Sequence, residues 1–268
     1  FRDINPRYAQ ISGRSFEEIK RGNWADFVHP DDAGASAPGA DWAAGAKTPT
    51  RLLRPDGSVV WIDMSLAAIE TESQAHPHHL CMIEDVTEKK KSEALIWQQA
   101  NFDTLTQLPN RRMFHDRLEL ELARCQREGL RTAILFIDLD HFKEVNDTLG
   151  HHQGDVLLVE ASRRIRSCVR ASDTVARLGG DEFTVILSGL DDPRLGDLIA
   201  QKILDVLRAP FDLGQEQAFV SASIGITLFP DDAEDVDNLL KQADQAMYAA
   251  KGAGRNRFSY FSPTLQVA

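Results

Sequence analysis

Hydrophobic positions give the chain two rhythms. In the first third, Val60, Ile62, Met64 and Leu66 alternate with Trp61, Asp63 and Ser65, the period-two pattern of a strand buried on one face. Pro55-Asp56-Gly57 separates this run from an extended run beginning at Arg51, which predicts a turn between two antiparallel strands. Leu80–Ile83 reads as a further strand, and Ala33–Ala46 and Ser73–His79 read as loops. Thr87–Asn101 lacks glycine and proline, is rich in helix formers, and follows a start signal in Asp85 and Glu88; it predicts a connecting helix.

Beyond it, helical and strand patterns alternate. Phe114, Leu118, Leu122 and Cys125 mark one helical face, and Leu158, Ala161, Ile165 and Cys168 another. Ala133–Ile137 is a short apolar run suited to a strand buried on both sides. Val175–Leu178 and Phe183–Leu187 predict two strands joined across Gly179-Gly180-Asp181-Glu182. A helix follows over about 195–207, a strand over Val220–Phe229, and a last helix carries the stripe Val236, Leu240, Ala243, Met247 and Ala250. The pattern predicts an α+β chain: a small antiparallel-sheet module, a helix, and a larger α/β domain.

The 268 residues include 41 acidic and 30 basic side chains, a net charge of −11, which argues against a general basic surface for a nucleic acid polymer or anionic lipid. No apolar run approaches the roughly 18 residues of a membrane span, and no signal-peptide pattern follows Phe1. Cys81, Cys125 and Cys168 are isolated in sequence and form no metal pair or disulfide framework, so a reducing cytoplasm is the expected compartment. A first residue of Phe leads us to expect a fragment, whose parent protein is free to be membrane-anchored.

Two segments carry candidate chemistry. Ile137-Asp138-Leu139-Asp140-His141-Phe142-Lys143 takes a core strand abruptly into carboxylates and then into a helix. Buried charge is costly, so acids leaving a core strand are expected to face a cleft, a metal or a cationic partner. Gly179-Gly180 permits a tight turn and places Asp181 and Glu182 at its rim. If the two segments are neighbours, Asp138, Asp181 and Glu182 converge, and oxygen donors without His or Cys suit Mg²⁺ or Mn²⁺. Such sites promote attack of a hydroxyl on a phosphoryl group. There is no P-loop motif. Phosphates are expected instead to meet backbone N–H groups after Asp140, together with Lys251 and Arg255, while Asn146 and Asp155 suit the Watson–Crick edge of guanine.

The runs DTLTQLPNRRMF, FIDLDHFKEVNDTLGHHQGD, ARLGGDEF and ADQAMYAAKGAGRNR occur in this order, and over about 102–261 the chain resembles the GGDEF family of diguanylate cyclases. NPRYAQISGRSFEEI, FVHPDD, RPDGSVVWID and DVTEKK resemble the later part of a PAS domain whose first strand would precede Phe1. The resemblance implies a PAS module over 1–86, a signalling helix over 87–101, a palm-like nucleotidyl cyclase domain over 102–262, and a tail or linker from 263. It implies metal binding by Asp138, the Leu139 carbonyl, Asp181 and Glu182, with Asp181 as proton acceptor from the ribose 3′-hydroxyl. Asn146, Asp155 and His151 would line the guanine wall, and Phe142, Lys143, Lys251 and Arg255 would hold the triphosphate. Two GTP would yield cyclic di-GMP and two pyrophosphates in a homodimer, since each subunit activates one GTP. Arg170 and Asp173 match the family's inhibitory product site.

Other readings compete. Gln107 stands where the family commonly has glycine, and the ligand of the PAS module is open. His76, His78 and His79 suggest a polar loop and His152 a surface residue. Phe261-Ser262-Pro263 resembles the joint after which such domains often continue into an EAL phosphodiesterase domain, which gives the rival of a non-catalytic GTP- or cyclic di-GMP-binding regulator. A third reading is a dimerisation module driven by the PAS part.

Overall fold

The computed structural model describes residues 3–32, 48–69, 78–190, 192, 194–214 and 216–263. The chain divides into two units, Phe1–Trp97 and Gln98–Ala268. The expected loop at Ala33–Ala46, the histidine at 76 and the side chains of His78 and His79 lie outside what is described.

The first unit opens with two short helices that the sequence pattern did not disclose. In α1 (Pro6–Ser12) proline occupies the first turn and the Asn5 side chain accepts from Tyr8 N–H. In α2 (Phe16–Arg21) Ser15 and Glu18 form a reciprocal capping box. Helices of six or seven residues contain too few positions to express a 3.6-residue period, so their capping residues are the better signal. β1 (Thr48–Leu53), β2 (Val59–Ile69) and β3 (His78–Asp85) form an antiparallel sheet in that order, with Leu52 opposite Val60 and Met64 opposite Ile83. The predicted alternation holds through Met64: Val60, Ile62 and Met64 are buried and pack with Tyr8, Ile11 and Ile19, while the side chain of Leu66 lies outside what is described. The turn at Pro55–Gly57 is closed by Gly57 N–H to the Arg54 carbonyl, with Gly57 at φ 82.

α3 (Thr87–Asn101) has the predicted bounds, and Asp85 accepts from Thr87 N–H at its start. After α4 (Arg111–Glu128), β4 (Arg131–Asp140), α5 (Phe142–Leu149), α6 (His151–Cys168), β5 (Thr174–Gly179) and β6 (Glu182–Leu190) come α7 (Arg194–Arg208), the two-residue strands β7 (Phe211–Asp212) and β8 (Gln217–Ala218), β9 (Ser221–Phe229), α8 (Val236–Gly252) and β10 (Arg257–Tyr260). The five-stranded sheet runs β10-β9-β4-β6-β5; β10 is parallel to β9 and the other neighbours are antiparallel.

Alternation along β4 assigns its two faces. Ala133, Leu135, Ile137 and Leu139 face the cluster built with α6 and α7. Ile134 and Phe136 face the cluster containing Phe114, Leu118, Leu122 and Cys125 of α4. On α8, Leu239 is fully buried and the predicted Leu240 only partly, while Val236, Ala243 and Met247 keep the places the stripe gave them. Gly225 lets α8 lie directly on β9, because a Cβ there would overlap the Ala243 carbonyl.

Candidate active site

The strand does not stop where its carboxylates begin. β4 continues through Asp140, and period-two alternation puts Asp138 and Asp140 on the face of Ile134 and Phe136, toward α4 and α8. In the β4–β6 register Asp138 stands opposite Glu182, and Leu139 N–H donates to the Asp181 carbonyl at 3.3 Å. The two acidic segments are therefore adjacent. Gly180 holds φ 52 at the hairpin tip, a left-handed value that glycine adopts without steric cost. Arg177 grips the same tip: Nε and Nη2 donate to the Gly180 carbonyl at 3.0 and 2.7 Å, and Nη1 donates to both Asp103 oxygens at 3.0 and 3.1 Å. Neither Arg177 nor Asp103 was expected from sequence, although both lie inside the quoted runs.

Cations face these acids. Lys251 Nζ lies 2.8 Å from Asp138 Oδ2, and Arg111 Nη2 lies 3.8 Å from Glu182 Oε2. Burial pushes the Asp138 carboxyl above its ordinary range; Lys251 opposes this, and Asp181 and Asp140 add to it. Burial likewise raises Glu182, with Arg111 opposing and Asp138, Asp244 and Asp181 adding. Asp244 on α8 is a further acid raised by burial and held back by Lys251. Asp140 is different in kind. Its oxygens accept from Ser221 Oγ at 2.6 Å, Ser223 Oγ at 2.8 Å and Asn256 N–H at 3.2 Å. Arg255 and Asn256 adopt φ 61 and 49, and the Asp140 carboxylate anchors this left-handed pair; Arg255 Nε stays 3.9 Å away.

The remaining sites lie on α5, α6 and β5. The Phe142 ring is buried in the core, so its main-chain N–H is what it presents at the start of α5, beside exposed Lys143. Asn146 lies against Gly154, where a Cβ would overlap its Oδ1, and Asp155 follows on α6. Asp155, Val156, Val159, Leu105, Pro210 and Asp212 line part of an open groove of about 600 Å³. His152 lines it and His151 does not; the acids of β4 and β6 are not part of it. Asp173 is buried, accepting from Arg170 N–H at 2.8 Å and Ser188 N–H at 3.2 Å, whereas Arg170 is exposed. Gln107 adopts φ 58, the conformation that explains a glycine preference at this position; its side chain donates to the Thr104 carbonyl and accepts from Gln98.

Among the described residues, no three His, Cys, Asp or Glu side chains form a ready-made metal cluster. The donors that Asp138, Asp181, Glu182 and the Leu139 carbonyl offer are all hard oxygens, a set suited to Mg²⁺ or Mn²⁺. No described helix is long and apolar enough to cross a membrane.

Residues 100–257 match the family model "Diguanylate cyclase, GGDEF domain", and residues 1–81 match "PAS fold". The bifunctional diguanylate cyclase/cyclic di-GMP phosphodiesterase MucR of Pseudomonas aeruginosa is 44% identical over 170 residues, 63% of this chain and 25% of MucR. Diguanylate cyclase TpbB of the same species is 45% identical over 163 residues, 60% of this chain and 38% of TpbB. The chain thus spans a minor part of these relatives. The solved GGDEF domain of TpbB superposes with a TM-score of 0.60 at 42% identity, covering 61% of this chain and 96% of that domain.

Proposed function

The chain belongs to the GGDEF family of diguanylate cyclase domains, with a PAS fold ahead of it, and from that premise we propose that it joins two GTP molecules into cyclic di-GMP. The observation that carries this reading is the β4–β6 register, with Asp138 opposite Glu182 and the Asp181 carbonyl on Leu139 N–H. Asp138, Asp181, Glu182 and the Leu139 carbonyl would hold Mg²⁺ or Mn²⁺, which when bound polarises the reacting oxygens and offsets phosphate charge.

The chain's own groups supply the rest. The N–H groups of Phe142 and Lys143, with Lys143, Lys251 and Arg255, bind the triphosphate. Asn146 and Asp155 read guanine, with His151 at the start of the same helix. Asp181 takes the proton from the 3′-hydroxyl as that oxygen bonds to the α-phosphorus of the second GTP. The bond from that phosphorus to the bridging oxygen breaks, and pyrophosphate leaves. Repeating the step in the opposite sense closes the ring, so the two nucleotides are held by two facing subunits. Arg170 captures product phosphate as a feedback site, with Asp173 fixing the turn that presents it. The PAS module controls turnover through α3.

The relative NbdA of Pseudomonas aeruginosa, 40% identical over 176 residues, is named a cyclic di-GMP phosphodiesterase alone. This favours a second reading, in which the domain binds GTP or cyclic di-GMP without turnover and regulates an EAL phosphodiesterase domain in the parent protein. Incubation with GTP and Mg²⁺, following pyrophosphate and cyclic dinucleotide, separates the two. Product that disappears in Asp181→Ala supports the cyclase. GTP binding without product, at concentrations that form dimers, overturns it in favour of the regulator.

A further inference from the structure

The acid end of the sheet already holds a cation of its own. Lys251 Nζ is 2.8 Å from Asp138 Oδ2, and the two side chains are only 24% and 12% exposed. Asp138 stands opposite Glu182, Asp181 is bonded through its backbone to the neighbouring Leu139, and Asp244 shares α8 with Lys251 two turns away. The other basic group at these acids, Arg111, is more distant and mostly exposed. Lys251 therefore sits on one of the carboxylates that a divalent ion would need.

We propose that Lys251 is a resident counter-cation: it holds the acids together when no metal is bound, excludes a divalent ion arriving alone, and yields Asp138 only when a nucleotide brings phosphate for the ammonium to bind. The inference rests on the GTP and metal reading of the site and adds an order of binding to it. A metal without nucleotide must break a half-buried ion pair and leave an ammonium facing a dication, both unfavourable at low local dielectric. A metal–nucleotide unit instead exchanges one partner of Lys251 for another, because the triphosphate takes the ammonium as the metal takes the carboxylate. Metal and nucleotide affinities are then coupled, and by thermodynamic reciprocity each strengthens the other.

The test measures Mn²⁺ binding to the whole 268-residue chain by electron paramagnetic resonance, with and without 3′-deoxy-GTP, which lacks the attacking hydroxyl. Wild type is expected to bind Mn²⁺ alone weakly and about tenfold or more tightly with the nucleotide. Lys251→Met and Lys251→Gln are expected to bind Mn²⁺ alone about tenfold more tightly than wild type, with weaker 3′-deoxy-GTP binding and the coupling reduced. Asp138→Asn controls for the site by removing the Mn²⁺ signal in both backgrounds. Melting temperature gives a second readout: Mn²⁺ alone should raise it more in Lys251→Met than in wild type.

Unchanged or weaker nucleotide-free Mn²⁺ binding in both variants, with Mn²⁺ and 3′-deoxy-GTP still bound by wild type, overturns the counter-cation role and leaves the site reading standing. Loss of stability in the variants without tighter Mn²⁺ binding has the same meaning, that of a structural ion pair. Absence of Asp138-dependent Mn²⁺ and nucleotide binding in wild type overturns both.

Discussion

Arg177 joins Asp103 to the Gly180 carbonyl, so one guanidinium ties the start of the second unit to the tip of the acidic hairpin. Its side chain is only 11% exposed, and five donors in a planar fork serve both partners at once. Arg177→Ala should cost about 1.5–3 kcal/mol of stability from the lost charge-assisted bonds. By freeing the tip that carries Asp181, it should lower cyclic di-GMP production roughly a hundredfold. Arg177→Lys, which cannot span both partners, should recover less than a tenth of the wild-type rate, roughly. Chemical denaturation and product assays check the two halves, and wild-type turnover in Arg177→Ala would refute the positioning role.

Gly154 allows the Asn146 side chain to lie against α6. A methyl group at 154 would displace the amide while leaving the acids and Lys251 untouched. Gly154→Ala should therefore raise the KM for GTP and cut discrimination of GTP over ATP by about tenfold, with little change in metal dependence. Competition binding with both nucleotides reads this; unchanged discrimination would remove Asn146 from base recognition.

Asp138 and Asp140, two residues apart on one face, should respond oppositely to neutralisation. Asp140→Ala strands the buried Ser223 hydroxyl and releases the Asn256 N–H, and should cost about 2–4 kcal/mol. Asp138→Asn gives up the Lys251 ion pair but also removes the burial cost and the repulsion from Asp181 and Asp140 that raise this carboxyl, so the melting temperature should stay near wild type while product is abolished. Thermal unfolding of the metal-free protein distinguishes them, and equal destabilisation would show that both are anchors.

Gln107 tests backbone strain. Its left-handed conformation is unfavourable for an L side chain, and two side-chain hydrogen bonds offset part of that cost. Gln107→Gly should change stability by less than about 0.5 kcal/mol, strain relief balancing lost bonds and greater unfolded-state freedom. Gln107→Val, branched at Cβ and without the amide, should lose about 2 kcal/mol in denaturant unfolding.

In the first unit, Arg51 engages Asp32 through Nη2–Oδ1 at 2.6 Å and Nε–Oδ2 at 2.9 Å. These bonds hold the Asp32 carboxyl down at about 2, against an ordinary 3.8. A depressed carboxylate contributes stability that is complete above its unfolded value and fades as pH falls through its folded one. The window is therefore pH 3.8 to 2, and about 1 kcal/mol should be lost across it for a pair this accessible. Asp32→Asn should flatten that part of the stability–pH curve; an unchanged slope would contradict the assignment.

Much of this protein was legible before its fold. Strand alternation marked Val60, Ile62 and Met64, and helical spacing marked Phe114, Leu118, Leu122 and Cys125, because local periodicity directly encodes which face meets the core. The acids of FIDLD and GGDEF stood out because charges beside a buried strand demand a partner. What the sequence could not state was which partner. That Asp138 stands beside Glu182 and under Lys251, while Asp140 is consumed by Ser221, Ser223 and Asn256, depends on the β4–β6 and β4–β9 registers and on where α8 ends. The grip of Arg177 on both Asp103 and Gly180 spans 74 residues of chain and has no local signature. Period and composition fixed the faces, because they act through neighbours along the backbone; only the tertiary structure decided the pairings, because hydrogen bonds and ion pairs act over a few ångströms between groups that the chain itself holds far apart.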